Sequence, residues 1–471
     1  MRARFLLSVR VIALAAAALL AGCATRAPQA DPAPPPPAWH APLPHAGEPA
    51  ALTRWWSQFD DPLLPALIDA AQAGHPLLDQ AVARIRQARA ARTAAAAPGG
   101  PFVNGAAQAT RGATAATTFL PVTQLSAGLD AGWEIDLFGG VRHGVAAAEA
   151  RAAQAELGWH EARVSLAAEV AQTYVGLRTC EALVALQTQE ADSLGRSAQL
   201  VRRKADVGFE APANARLVEA AAVQARERTV AQQLDCDIAV QALGLLTGLP
   251  EPDLRARLRA RHGRLPAPAA FALPTLPAAV LAQRPDLAAA ERELHASAAE
   301  VAGADAARRP QLTIGGSLGV GLVRTGGQSE TATTWSFGPV LTVPLLDGGR
   351  RRAQLDAAQA RLDEARAGYA LKLRGAVREV EEALRRLDAS QRRETDARTA
   401  ADGLRAFLDA TRERERLGSA SVVDVEDARR QALGADSAWL ALQRERVAAW
   451  ISLYRAVGGG WQRELPPPAT P

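Results

Sequence analysis

The sequence predicts a mainly α-helical fold with a β-barrel portion, built from two copies of one plan: a pair of strands, then a long antiparallel helical hairpin. Three observations predict it. The first is a change of period within residues 125–142. Leu125, Ala127, Leu129, Ala131, Trp133, Ile135 and Leu137 alternate with Ser126, Gly128, Asp130, Gly132, Glu134 and Asp136, the two-residue rhythm of a strand with one apolar and one polar face. Beyond Gly139-Gly140 the chain becomes rich in Ala, Glu, Arg and Gln, with apolar residues spaced by threes and fours, so the strand feeds directly into a helix. The second is an echo: Trp335, Phe337, Pro339, Leu341, Val343 and Leu345 alternate up to Asp347-Gly348-Gly349-Arg350, where another helical pattern starts. The third is a nearly constant offset of 208–210 residues separating Pro76 from Pro285, Pro101 from Pro310, Arg142 from Arg350, Gly208 from Gly418 and Gly248 from Gly458. That spacing is an internal duplication, and no short-period solenoid produces it.

Composition agrees. Among 471 residues there are only 9 Phe, 9 Trp and 3 Tyr, too few large core-fillers for an ordinary globular protein of this length. Ala, Leu, Arg, Glu and Gln dominate, as in long packed helices. The net charge of +4 comes from 54 basic and 50 acidic residues spread along the whole chain, which argues against nucleic acid as a partner. The seven His are scattered and no CxxC occurs, so no metal site is expected.

Taken in order, residues 1–22 carry a signal peptide: Arg2, Arg4 and Arg10 form a basic region and residues 11–20 an apolar run too short to span a bilayer. Leu20-Ala21-Gly22-Cys23 looks like a bacterial lipobox, with Cys23 lipidated and first in the mature chain. The alternative is a plain secretory signal. Ala24, where an Asp would favour the inner membrane, points to the outer membrane. Residues 23–50 form a lipidated Pro/Ala-rich tether, with Pro34 to Pro37 in a row. The first repeat spans 51–262. It has a helical pattern from 63 to 97 broken near Gly74-His75-Pro76, strands at about 102–110 and 125–137, and long helices at about 140–206 and 214–246. Leu166, Val170, Thr173, Leu177, Cys180 and Val184 make a heptad-like stripe on the first long helix. The break at Val207-Gly208-Phe209 is short, so the second helix returns antiparallel. The second repeat spans 263–461, with strands at about 311–323 and 333–345 and helices at about 348–416 and 421–457; its stripe is Leu373, Val377, Val380, Leu384 and Leu387. Residues 462–471 are a Pro-rich tail.

Export places Cys180 and Cys236 in an oxidising compartment. Their midpoint is residue 208, at the hairpin turn, so they stand at equal height on adjacent antiparallel helices and are expected to form a disulfide; two unrelated buried cysteines are the alternative. Strands of about ten residues that alternate in polarity suit a transmembrane barrel. Four are too few to close one, so several chains must pool them.

These features together resemble the outer-membrane efflux family, the TolC-like exit ducts, and especially its lipoprotein branch serving RND-type pumps. The residues that carry the resemblance are Leu20-Ala21-Gly22-Cys23, Trp55-Trp56-Ser57-Gln58-Phe59-Asp60-Asp61-Pro62, Trp133-Glu134-Ile135-Asp136-Leu137-Phe138-Gly139, Arg284-Pro285-Asp286-Leu287 and Leu417-Gly418-Ser419-Ala420-Ser421-Val422-Val423-Asp424-Val425. The resemblance implies a homotrimer forming a twelve-stranded barrel in the outer membrane, with a periplasmic α-helical barrel. Its implied partners are a periplasmic adaptor, an inner-membrane RND-type pump and outer-membrane lipid. The implied work is passive export without bond chemistry and without a cofactor beyond the lipid on Cys23. It further implies adaptor contacts at Val207, Gly208, Phe209, Leu417, Gly418 and Ser419, where helix-ending glycine is the plainer reading. It implies a periplasmic gate at the start of the last helix, with Val423 as plug and Asp427 and Arg430 as charged constrictors; a solvated helix face is the alternative. Asp130, Glu134 and Asp136 are expected to face the barrel lumen and bias it against anions, unless some pair with Arg324 or other basic groups. Rival readings are a periplasmic adaptor and a structural coiled-coil lipoprotein; the first would have one hairpin between compact β domains, and the alternating strands argue against the second. Gly315-Gly316-Ser317-Leu318-Gly319 fits G-x-S-x-G but lies mid-strand, and Glu291 with His295 lacks a third ligand.

Overall fold

The computed structural model describes residues 26–29, 32–35, 41, 48–49, 52–113, 121–266, 271–272 and 281–461. The signal peptide, Cys23 and the tail 462–471 lie outside the described residues. Strand β1 (Glu48–Pro49) and a short 3-10 turn (Leu52–Phe59) lead into helices α1 (Leu63–Gly74) and α2 (Pro76–Ala96). Strands β2 (Phe102–Gly112) and β3 (Val122–Ile135) precede α3 (Gly140–Asp206), α4 (Pro212–Thr247) and α5 (Glu251–Leu258). The second half supplies β4 (Phe271–Ala272), α6 (Pro285–Ala306), β5 (Gln311–Thr325), β6 (Gln328–Thr342), α7 (Arg350–Arg416) and α8 (Val422–Ala456). Both α3 and α7 are 67 residues long.

The chain forms two compact units, and each draws on both repeats. One comprises 1–33, 83–156 and 288–371; the other comprises 34–82, 157–287 and 372–471. The first unit holds an antiparallel four-stranded sheet in the order β2-β3-β5-β6, which leaves β2 and β6 as edges. Between β5 and β6 only Gly326 and Gly327 intervene, with φ of 57° and 88°, the left-handed pair that a two-residue hairpin turn requires. Helical segments of this unit pack around Leu294, Ala298, Val301, Leu355, Ala358 and Leu362. Arg89–Glu156 (2.7 Å) and Arg151–Glu300 (2.5 Å) tie their polar faces together.

The second unit contains the largest apolar cluster. Trp55, Phe59, Leu64 and Leu67 pack with Leu166, Val170 and Tyr174 of α3, Leu243 of α4, Val380 and Leu384 of α7, and Trp450 and Ile451 of α8. The stripe expected on α3 is buried at Leu166, Val170, Leu177 and Cys180. That on α7 is buried at Leu373, Val380, Leu384 and Leu387. Within this core Asp61 accepts a hydrogen bond from the Tyr174 hydroxyl (2.7 Å), and Arg178, fully buried, pairs with Glu181 (2.7 Å) and donates to the Leu258 carbonyl (2.9 Å).

The long helices start and stop within two residues of expectation. The strands differ more. The alternation of side chains continues to Leu137 and Leu345, yet the ladder ends at Ile135 and Thr342. In the first repeat the next residue, Asp136, turns to cap the helix that follows; in the second the ladder stops at Thr342, opposite the first residue of β5, five residues before the corresponding Asp347. At the other end the tight Gly326-Gly327 turn carries pairing outward to Thr325 and Gln328, so polar residues without alternation remain in register.

Candidate functional site

The sheet separates its side chains by chemistry. In the register Leu129↔Leu318↔Trp335, directly opposed residues share a face. That face carries Leu125, Leu129, Trp133, Leu318, Val320, Trp335 and Phe337, all exposed. Such a contiguous apolar surface is far more than a water-soluble sheet leaves uncovered. The opposite face carries Asp130, Glu134 and Glu330 together with Ser317 and Ser336, whose hydroxyls hydrogen-bond at 2.9 Å. Here also Phe102 lies over Gly132, where a Cβ would come within 2.7 Å of its ring, so any larger residue would displace the aromatic.

Two expectations for this face need correction. Asp136 is not on the strand: its carboxylate accepts from the backbone N–H of Val141 (3.3 Å) and Arg142 (3.0 Å) and pairs with the Arg142 side chain at 3.4 Å. It anchors the first turn of α3, where a negative charge meets the positive end of the helix dipole. Glu330, which had no alternation to announce it, is the third carboxylate of the polar face. Nor can Arg324 pair with these groups, since the register puts it opposite Thr123, on the apolar face near the far end of the sheet. The second repeat reproduces the anchor. Asp347 accepts from the N–H of Gly349 (3.1 Å) and Arg351 (3.2 Å) and from the Arg351 guanidinium (3.0 Å), which holds its carboxyl below the usual range.

The two hairpin turns in the second unit are copies of each other. The N–H of Gly208 reaches the Ala205 carbonyl and that of Phe209 the Lys204 carbonyl; Gly418 and Ser419 do the same to Glu415 and Arg414. Both glycines have φ of 78°. This is the paired bond pattern of a left-handed helix end. Around the glycines Val207, Phe209 and Leu417 are exposed, Phe209 by 85%. Lys204 and Glu415 pair at 3.4 Å, one from each turn region. The helices leave the turns differently: α4 begins at Pro212, while Ser421 and Asp424 form a reciprocal capping box at α8.

At the start of α8, Val423 and Asp427 are half-buried and Arg430 is exposed, and Asp427 pairs with Arg430 along the helix. Glu426 and Arg429, their immediate neighbours in the chain, are buried and pair with each other. They lie beside Glu190 of α3, which pairs with Arg228 of α4 at 3.5 Å. Burial pushes the Glu190 carboxyl up, and Glu426 adds to this against Arg228 and Arg429. Periodicity along single helices does not mark this cluster, because which charges are enclosed depends on which helix faces meet. Higher on the same hairpin, Cys180 and Cys236 are joined by a disulfide with S–S 2.09 Å and Cα–Cα 5.6 Å.

Another buried cation sits where α6 begins. Arg284 grips Asp286 with two hydrogen bonds (3.0 and 2.7 Å) and reaches Glu379 of α7 (2.9 Å) and the Ala456 carbonyl of α8 (2.8 Å). Gly315–Gly319 falls within β5, with strand on both sides, so Ser317 is part of a ladder and not of a strand-to-helix elbow. His295 Nε2 lies 3.9 Å from Glu291.

The profile of the outer membrane efflux protein family matches residues 67–249 and 276–459. Outer membrane protein OprJ of Pseudomonas aeruginosa is 32% identical over 334 residues, 70% of this chain and 68% of the relative. The pyoverdine export outer membrane protein OpmQ of Pseudomonas putida is 29% identical over 472 residues, covering 95% of this chain and 96% of the relative. Among solved structures, the outer-membrane channel OprN superposes with a TM-score of 0.82 at 30% identity, over 93% of this chain and all of that one.

Proposed function

The chain belongs to the outer membrane efflux protein family and is an outer-membrane efflux channel, and from that premise we propose that it works as a homotrimeric, lipid-anchored exit duct of an RND-type pump. Channels of this family are conduits of the outer membrane with a periplasmic helical part, and they work with an adaptor and an inner-membrane pump. The observation that carries the proposal is the sheet: four strands, one exposed apolar face, and two unpaired edges at β2 and β6. An open edge in a membrane leaves backbone groups without partners, so β2 of one chain must meet β6 of the next. Three chains supply twelve strands and close the ring. Asp130, Glu134 and Glu330 then line the lumen and disfavour anions.

In this reading the apolar turn residues Val207, Phe209 and Leu417, set by Gly208, Gly418 and Ser419, receive the adaptor. Val423, Asp427 and Arg430 narrow the periplasmic end of the pore, and Cys23 carries the lipid. Fractionation tests the whole: the outer membrane is expected to hold a heat-modifiable trimer that conducts in planar bilayers. A soluble or inner-membrane protein would overturn the reading. Phe209→Asp with Leu417→Asp is expected to abolish cross-linking to the adaptor while leaving the trimer intact.

A further inference from the structure

Charge is sorted between the two faces of the sheet. Across β2, β3, β5 and β6 the polar face has carboxylates alone, Asp130, Glu134 and Glu330. On the apolar face of the described strands the only charged side chains are Arg111 and Arg324, both exposed. They occupy one rung, Arg111↔Thr123↔Arg324↔Ser329, at the turn end of the sheet. The rung below on that face is apolar but for one hydroxyl: Ala109, Leu125, Leu322 and Thr331.

The arrangement is made twice. In each repeat arginine is the last residue but one of the first strand, and a hydroxyl, Thr123 or Ser329, is the second residue of the next strand, directly across the ladder. Neighbouring strands are ~4.8 Å apart, so the two guanidinium stems flank Thr123 with about 10 Å between them. Among the described residues neither arginine has an ion-pair partner, and no carboxylate shares their face. Two like charges held that close on an apolar wall, with hydroxyls between and beside them, are stabilised by an anion that accepts several hydrogen bonds at once. Guanidinium and hydroxyl donors together suit the oxygens of a phosphate monoester.

The strands leave for the helices at the opposite end, and the helical part is periplasmic, so this rung stands at the exterior rim. The geometry points to a binding site on the outside of the barrel for the phosphorylated saccharide headgroup of an outer-leaflet glycolipid, with its acyl chains lying down the face formed by Leu125, Leu322, Leu129 and Leu318. This rests on the duct reading above, in which that face meets lipid. A trimer carries six such arginines.

The test uses the full-length trimer in nanodiscs of neutral phosphatidylcholine doped with bisphosphorylated lipid A, with retained lipid counted by native mass spectrometry after mild detergent release. Wild-type protein is expected to retain the bisphosphorylated lipid on the order of ten-fold better than its fully dephosphorylated form, and R111Q/R324Q to lose that preference. Equal retention of the two lipids by wild-type protein overturns the inference, as does an unchanged preference in the double variant. T123V, which keeps both charges, is expected to weaken the preference partially. Heat-modifiable trimer and single-channel conductance are read on the same samples. If wild-type protein forms no membrane trimer, the duct reading fails; if it does and lipid phosphate makes no difference, only the glycolipid site fails.

Discussion

Arg284 shows what a single side chain contributes here. It ties the start of α6 to α7 and to the end of α8, and Asp286 supplies most of the compensation for its burial. Burial alone would raise the Asp286 carboxyl, but the guanidinium outweighs it and holds the carboxyl below the ordinary range. Its stabilisation is therefore present at neutral pH and is lost as pH falls from the ordinary carboxylate value through the depressed one. Asp286→Asn leaves a buried cation poorly matched and is expected to cost about 3 kcal/mol, seen as a lower Tm of the helical circular-dichroism signal. Glu190 behaves oppositely. Its carboxyl is raised by burial, so the folded state takes up a proton before the unfolded chain does, and mild acid strengthens the fold through that window. Glu190→Gln is expected to melt higher than wild type near neutral pH, with the difference shrinking as pH falls toward the ordinary carboxylate range. Arg284-Pro285-Asp286 was legible as a motif, whereas Glu190, Arg228, Glu426 and Arg429 were not, since periodicity along one helix says nothing of the charges its neighbours present.

At the scale of elements, the long helices were legible because their ends are marked by residues with few alternatives. Gly208 and Gly418 hold φ of 78°, where a β-branched residue is strained, and Gly418→Val is expected to cost about 1–2 kcal/mol, measured as weakened protection of the turn amides from hydrogen exchange. Strand ends were less legible. Alternation of side chains runs on to Leu137 and Leu345, past the last paired residues Ile135 and Thr342, and two-residue periodicity does not reach Glu330, which follows the Gly326-Gly327 turn before the alternation resumes. Arg324 shares the parity of Leu318, Val320 and Leu322 within β5, so the rhythm of its own strand already sets it on the apolar face, away from Asp130 and Glu134. Leu129 tests the assignment of the apolar face. Lysine there would sit mid-strand on the lipid side, at a cost of about 2–4 kcal/mol, and L129K is expected to be absent from the outer membrane as a trimer while the same change near Pro35 is tolerated.

For the whole molecule, the duplication at an offset near 210 residues accounts for the matched sheet hairpins, helix anchors and turns, and all of these follow from counting along the sequence. The differences between the halves do not. The disulfide between Cys180 and Cys236 braces the first helical hairpin, and the second contains no cysteine. Mass mapping of unreduced peptides from exported protein is expected to find the two cysteines linked. In the proposed ring of three chains, braced and unbraced hairpins alternate around the circumference like the fixed and sliding leaves of a shutter. Axial slip of one helix past its partner is restricted in α3 and α4 and left to α7 and α8. A tube whose parts are six-fold in shape is thus only three-fold in compliance, and a reducing environment would erase the distinction.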